Sequence, residues 1–136
     1  MIKNLAKHFS AGKAFKDALK KGSPKYGLFL NSGSPVVAEQ LSYSSYDWLL
    51  VDSQHGPMTN ETMHSMIASI NNNKTISMVR VQHYQDRGGI QQALDAGANG
   101  ILVPQVNNRE EVEKSVYSCI YPVPSKHKGS RSIYFP

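Results

Sequence analysis

Four short apolar runs, evenly interleaved with amphipathic segments, constrain this chain more than any other feature. The runs are YGLFL at 26–30, WLLVD at 48–52, ISMVRV at 76–81 and GILVPQV at 100–106. Each has the length of a strand buried on both faces and is too short for a buried helix. The intervening segments carry helix signals. Residues 12–21 place Phe15, Ala18 and Leu19 on one side, and Gly22 supplies a stop. Ser34 followed by Pro35 pairs a cap with proline at the first helical position, and VVAEQL continues that helix. Thr59 or Asn60 caps a segment in which Met63, Met66, Ile67 and Ile70 recur at helical spacing. Asp86 caps another, with Ile90, Ala93 and Leu94 inward and Gly97 as its stop. Asn108 and Glu111 have the spacing of a capping box ahead of Val112 and Val116.

Strands separated by single helices return to the same starting edge, so the four strands are expected to run parallel. Two architectures accept this pattern: an open doubly wound sheet, and a (β/α)₈ barrel, which normally takes about 250 residues. Four strand–helix units are half of such a barrel. The glycines after the first strand do not form the G-x-G-x-x-G dinucleotide fingerprint.

A chain of 136 residues with 40% hydrophobic and 18% charged residues fits one folded domain rather than a disordered segment. No apolar run is long enough for a membrane-spanning helix. The N-terminus lacks an apolar signal core, which favours a cytoplasmic protein over a secreted one. A mitochondrial presequence over residues 1–22 is disfavoured by the absence of arginine there. The one cysteine, Cys119, falls in a helical segment and reads as a small packed hydrophobe. The net charge of +5 is not spread evenly. Residues 1–25 hold seven lysines against Asp17, and residues 121–136 add Lys126, Lys128 and Arg131, whereas the middle has five basic and nine acidic residues. No stacking aromatics sit among those lysines, so a solvated helix face and a polar tail explain the charge better than nucleic-acid binding.

In parallel α/β folds, the segments after the strands gather at one edge. Here they are Asn31-Ser32-Gly33-Ser34, the run from Asp52 through Gln54 and His55 to Pro57, Arg80 through His83, and Pro104 through Asn107. Asp52, at the tip of an apolar strand, needs a partner. His55 is a candidate: a carboxylate on one imidazole nitrogen raises the basicity of the other, as a general base requires. Arg80, between Val79 and Val81, suits a planar anion or a developing oxyanion. Duller readings stand beside these. Asp52 can cap the next turn, His55 can be a plain loop residue, and Arg80 can bridge to Asp52 or Asp86. His83 reads as structural or peripheral.

At Asp52-Ser-Gln-His-Gly-Pro the chain resembles the HpcH/HpaI aldolase family, class II pyruvate-type aldolases related to citrate lyase. The resemblance extends through GLFLNSGSPVVAEQL, YDWLLVDSQHG, MVRV, ALDAGANGILVPQVNNREEVEKSV and GSRSIYFP. It implies a TIM-barrel-type fold, here as a half barrel of four strand–helix units over 12–120, followed by a polar tail at 121–136. It also implies a carbon–carbon lyase acting on pyruvate or a related 2-oxo acid with an aldehyde, and dependence on Mg or Mn. By this resemblance His55 and Asp52 form the base dyad, Arg80 binds the oxo acid and steadies the enolate, and Gln54, a second substrate-binding residue, stands where many members have Glu. The family's metal carboxylates lie on later strands and match no residue here. A half barrel would leave two strand edges and an inner face uncovered, so a homo-oligomer or a complementary half-barrel is expected. The alternative is a non-catalytic homologue that binds a small 2-oxo acid or assembles with a partner half-barrel.

Overall fold

The computed structural model describes residues 2–122 and 129, with side chains from residue 11 onward. A leading helix, α1 (Ile2–Lys20), precedes β1 (Gly27–Leu30), α2 (Pro35–Ser42), β2 (Trp48–Asp52), α3 (Asn60–Asn71), β3 (Ile76–Arg80), α4 (Arg87–Asp95), β4 (Gly100–Leu102) and α5 (Arg109–Cys119). The strands form one parallel sheet in the order β1-β2-β3-β4. Sequential order decides between the two architectures: a doubly wound sheet reverses direction at a switch point, and a barrel does not.

Local chemistry sets the helix boundaries. The side chains of Ser34, Thr59, Asp86 and Asn108 accept from the backbone N–H three residues on, in Val37, Thr62, Gly89 and Glu111. Gly22 and Gly97 take φ of 77° and 99°, which glycine adopts without strain. The N–H groups of Ser23 and Ala98 then close onto the carbonyls of Ala18 and Ala93, which ends α1 and α4.

The pleat sorts the strand residues between two faces. Leu30, Leu49, Val51, Val79 and Val81 join Met63, Met66, Ile67 and Ile70 of α3 and Ile90 and Ala93 of α4 in one buried core. The opposite, inner face carries Phe29, Trp48, Leu50, Asp52, Met78 and Arg80, by the pairings Phe29↔Leu50↔Met78 and Asp52↔Arg80. At the N-terminal ends of the strands, Asn99 links Ser77 and α1. Its side chain accepts from the Ser77 N–H, and its carbonyl lies close to Gly12.

Three elements differ from the sequence expectation. Helix α1 begins at Ile2, well before residue 12. Within it Phe15 and Ala18 are half-buried and Leu19 is exposed. Strand β4 stops at Leu102, because Pro104 has no N–H to donate and Gln105 turns to φ 55°. Helix α5 buries Ser115 and Ser118 and exposes Val112 and Val116. The buried hydroxyls donate to the carbonyls of Glu111 and Lys114, so they need no partner from the core. Cys119 is half-buried against the core. Most of the expected polar tail at 121–136 lies outside the described residues.

Candidate active site

The C-terminal edge of the sheet is organised around Asp52, whose side chain is fully buried. Four groups donate to its carboxylate. The Arg80 guanidinium reaches Oδ1 through Nε at 2.8 Å and Oδ2 through Nη2 at 2.5 Å. Asn31 Nδ2 donates to Oδ2 at 2.7 Å. The backbone N–H groups of Gln54 and His55 donate to Oδ1 at 3.1 and 3.3 Å. The Asp52↔Arg80 register creates the fork, because paired residues on neighbouring parallel strands point to the same side. The hydrogen bond from Arg80, helped by the two backbone donors, holds the Asp52 carboxyl down at about 2.

Tight loop geometry brings the histidine to this point. The turn after β2 closes when Gly56 N–H donates to the Asp52 carbonyl at 3.1 Å. A Cβ on Gly56 would stand 2.5 Å from that carbonyl, so the turn requires glycine. Gly33 has φ 63°, and a Cβ there would lie 2.9 Å from the Pro57 carbonyl. The loops after β1 and β2 therefore meet closely. Gln54 Nε2 crosses to the Gln82 carbonyl at 3.2 Å and ties the β2 loop to the β3 loop.

The structure gathers Asp52, His55, Arg80 and Gln54 at one edge, and a single carboxylate binds both the Arg80 head and the His55 backbone. The expected ring-to-carboxylate contact is replaced. Asp52 meets His55 through the main chain, and its side-chain partners are Arg80 and Asn31. Register explains the preference: Arg80 lies directly opposite Asp52, whereas His55 sits exposed on the turn. Turn capping and the Asp52–Arg80 bridge thus coexist. His83 Nδ1 accepts from the Gln85 N–H at 3.1 Å, a turn-forming role.

Two contributors had no role assigned in the sequence reading, although Asn31 stood among the edge segments. Asn31 is the first polar residue after β1 and, one step beyond the Leu30↔Val51 pair, comes level with Asp52. Its position at the end of an apolar run was the available signal. Phe29 reads as core in the sequence, yet it is 41% exposed and its ring centroid lies 5.2 Å from the guanidinium carbon of Arg80.

The guanidinium has five N–H donors, and Asp52 takes two, which leaves three for an incoming anion. The described residues do not form a divalent-metal site. No three of their His, Cys, Asp or Glu side chains converge, and the buried Asp52 is already neutralised by Arg80. A cavity of about 240 Å³ lies nearby, lined by Ser53, Thr59, Met63, Gln82, Asp86 and Gly89 among others. Its lining includes none of Asp52, His55 and Arg80.

The HpcH/HpaI aldolase/citrate lyase model matches residues 25–132. The 4-hydroxy-2-oxo-heptane-1,7-dioate aldolase of Salmonella dublin is 38% identical over 109 residues, which are 80% of this chain and 41% of that protein. A solved HpcH/HpaI aldolase/citrate lyase family protein from Burkholderia cenocepacia J2315 superposes with TM-score 0.76 at 30% identity, over 82% of this chain and 44% of that one. The citrate synthase SbnG gives TM-score 0.75 at 35% identity, over 87% of this chain and 46% of that one. The chain thus spans less than half the length of these relatives. From the matched residues, the sequential parallel sheet and these likenesses, the chain belongs to the HpcH/HpaI aldolase/citrate lyase family.

Proposed function

We propose that this chain supplies half of a carbon–carbon lyase site, a partial domain with its strand–helix units over 12–120. It would act on pyruvate or a 4-hydroxy-2-oxo acid, the class named for the Salmonella relative. The observation that supports this reading is the shared Asp52 carboxylate, which accepts from both the His55 backbone N–H and the Arg80 guanidinium. Arg80 binds the substrate carboxylate with its uncommitted N–H groups. His55 takes the proton from the C4 hydroxyl. The C3–C4 bond then breaks, the aldehyde leaves, and the electron pair moves through C3–C2 onto the ketone oxygen. Arg80 steadies that enolate oxygen, and protonation at C3 releases pyruvate. Asp52 acts as a positioning residue: it orients Arg80 and fixes the turn that carries His55. Gln54 holds the β2 and β3 loops together at the edge of the site, within reach of substrate.

The metal dependence implied by the family needs carboxylates beyond those described here. A site of this kind would be completed by a complementary half-barrel or a second copy. A cytoplasmic setting suits this chemistry. Turnover with pyruvate, an aldehyde and Mg²⁺ or Mn²⁺, followed by coupled detection of pyruvate consumption, tests the lyase reading. Loss of about a hundredfold or more is expected in both His55→Ala and Arg80→Ala. The buried Asp52–Arg80 pair, whose remaining guanidinium donors suit an anion, also fits a second reading, a non-catalytic homologue that binds a 2-oxo acid or assembles with a partner half-barrel. Absence of turnover together with pyruvate binding that Arg80→Ala abolishes would select it.

A further inference from the structure

Phe29 has the wrong exposure for a core residue and the right neighbours for another task. It sits on β1 with 41% of its surface in solvent. Its ring centroid is 5.2 Å from the Arg80 guanidinium carbon, within cation–π range. Behind it stands Trp48, edge-on at 6.2 Å between centroids and 76° between planes. Trp48 can take that place because its register partner is Gly27, where any Cβ would fall inside the indole. Gly27, Trp48, Phe29 and Arg80 therefore form a continuous brace along the inner face, and Asp52 closes it.

We propose that Phe29 is a positioning residue for Arg80, fixing the guanidinium from its face while Asp52 fixes it from its edge. The Asp52 fork sets the in-plane direction of the head. A fork alone leaves the head free to tilt about the line of its two hydrogen bonds. A ring against the face removes that motion, and the remaining N–H donors are then held toward the mouth. A leucine at 29 would fill much of the same space without the ring's negative face. The inference deepens the oxo-acid reading of the site and rests on it for the identity of the anion. The bracing itself needs no substrate.

The test uses the full chain as wild type, Phe29→Leu, Phe29→Tyr and Arg80→Gln. The Arg80 Nε–H resonance is followed by nitrogen-edited NMR, with circular dichroism to confirm folding. In wild type and Phe29→Tyr that proton is expected upfield, under the ring current, and protected from exchange. In Phe29→Leu the upfield shift should vanish and exchange rise about fivefold, the scale of one lost cation–π contact. Pyruvate affinity by calorimetry should fall by a similar factor of about five in Phe29→Leu and recover in Phe29→Tyr. An unchanged Arg80 resonance in Phe29→Leu overturns the proposal. So does equal disruption by leucine and tyrosine, which would mark the ring as packing alone. If the resonance responds as expected but Arg80→Gln leaves pyruvate binding unaltered, or pyruvate does not bind, the oxo-acid reading fails and the brace stands.

Discussion

Burying a carboxylate is unfavourable unless other donors replace its water, and at Asp52 two strands and one turn supply them. The linkage follows from its depressed pKa. Asp52 titrates at about 2 in the folded chain against an ordinary 3.8, so its stabilising contribution is complete above about pH 4. It is lost as pH falls through about 2. The shift corresponds to about 2 kcal/mol. In urea unfolding across pH 2–6, wild type should lose roughly that amount toward pH 2, and Asp52→Asn should show a flatter profile. At pH 7 the same variant should be destabilised by about 3 kcal/mol, because Arg80 loses its charged partner. Identical pH profiles for the two proteins would contradict the assignment. Gly56→Ala should cost about 2 kcal/mol, since the added Cβ meets a backbone carbonyl that cannot step aside. It should also impair any activity that depends on His55, and an unaltered melting curve would count against that geometry.

Caps and strand ends decide which residues face which way. Asp86 accepts from Gly89 N–H through Oδ1 at 2.9 Å and from Gln82 N–H through Oδ2 at 3.4 Å, so it joins the exit of β3 to the start of α4. Asp86→Ala should lower stability by about 1 kcal/mol, measured by urea denaturation, with the Arg80 environment retained. A loss under a few tenths of a kcal/mol would show that the cap is dispensable. Most elements were legible in advance because their signals are local: a cap residue, a glycine stop, an apolar run of strand length. The direction of α5 was not. Its valines invite burial by pattern, but its serines satisfy their own hydroxyls within the helix and can turn inward at little cost. Which side faces the sheet then depends on the whole surface beneath it.

At the scale of the molecule, β1 and β4 each have one strand neighbour among the described residues, and Leu28 and Phe29 of β1 are 37% and 41% exposed. Among the described residues no helix is long and apolar enough to cross a membrane. A chain of these 136 residues should self-associate through the edges of β1 and β4. Sedimentation velocity should show mass rising with concentration. A monodisperse monomer with a cooperative melt would overturn this expectation. The sequence by itself determined the number of strand–helix units, their caps, the stops at Gly22 and Gly97, and the gathering of Asp52, His55 and Arg80 at one edge. These rest on local propensity and on the parallel rule, which need only neighbours along the chain. The tertiary structure decided the partners: Asp52 with Arg80 and Asn31 instead of the His55 ring, and Phe29 over the guanidinium. Strand register and the pleat bring together residues 21 and 28 positions apart, distances over which sequence alone carries no record of contact.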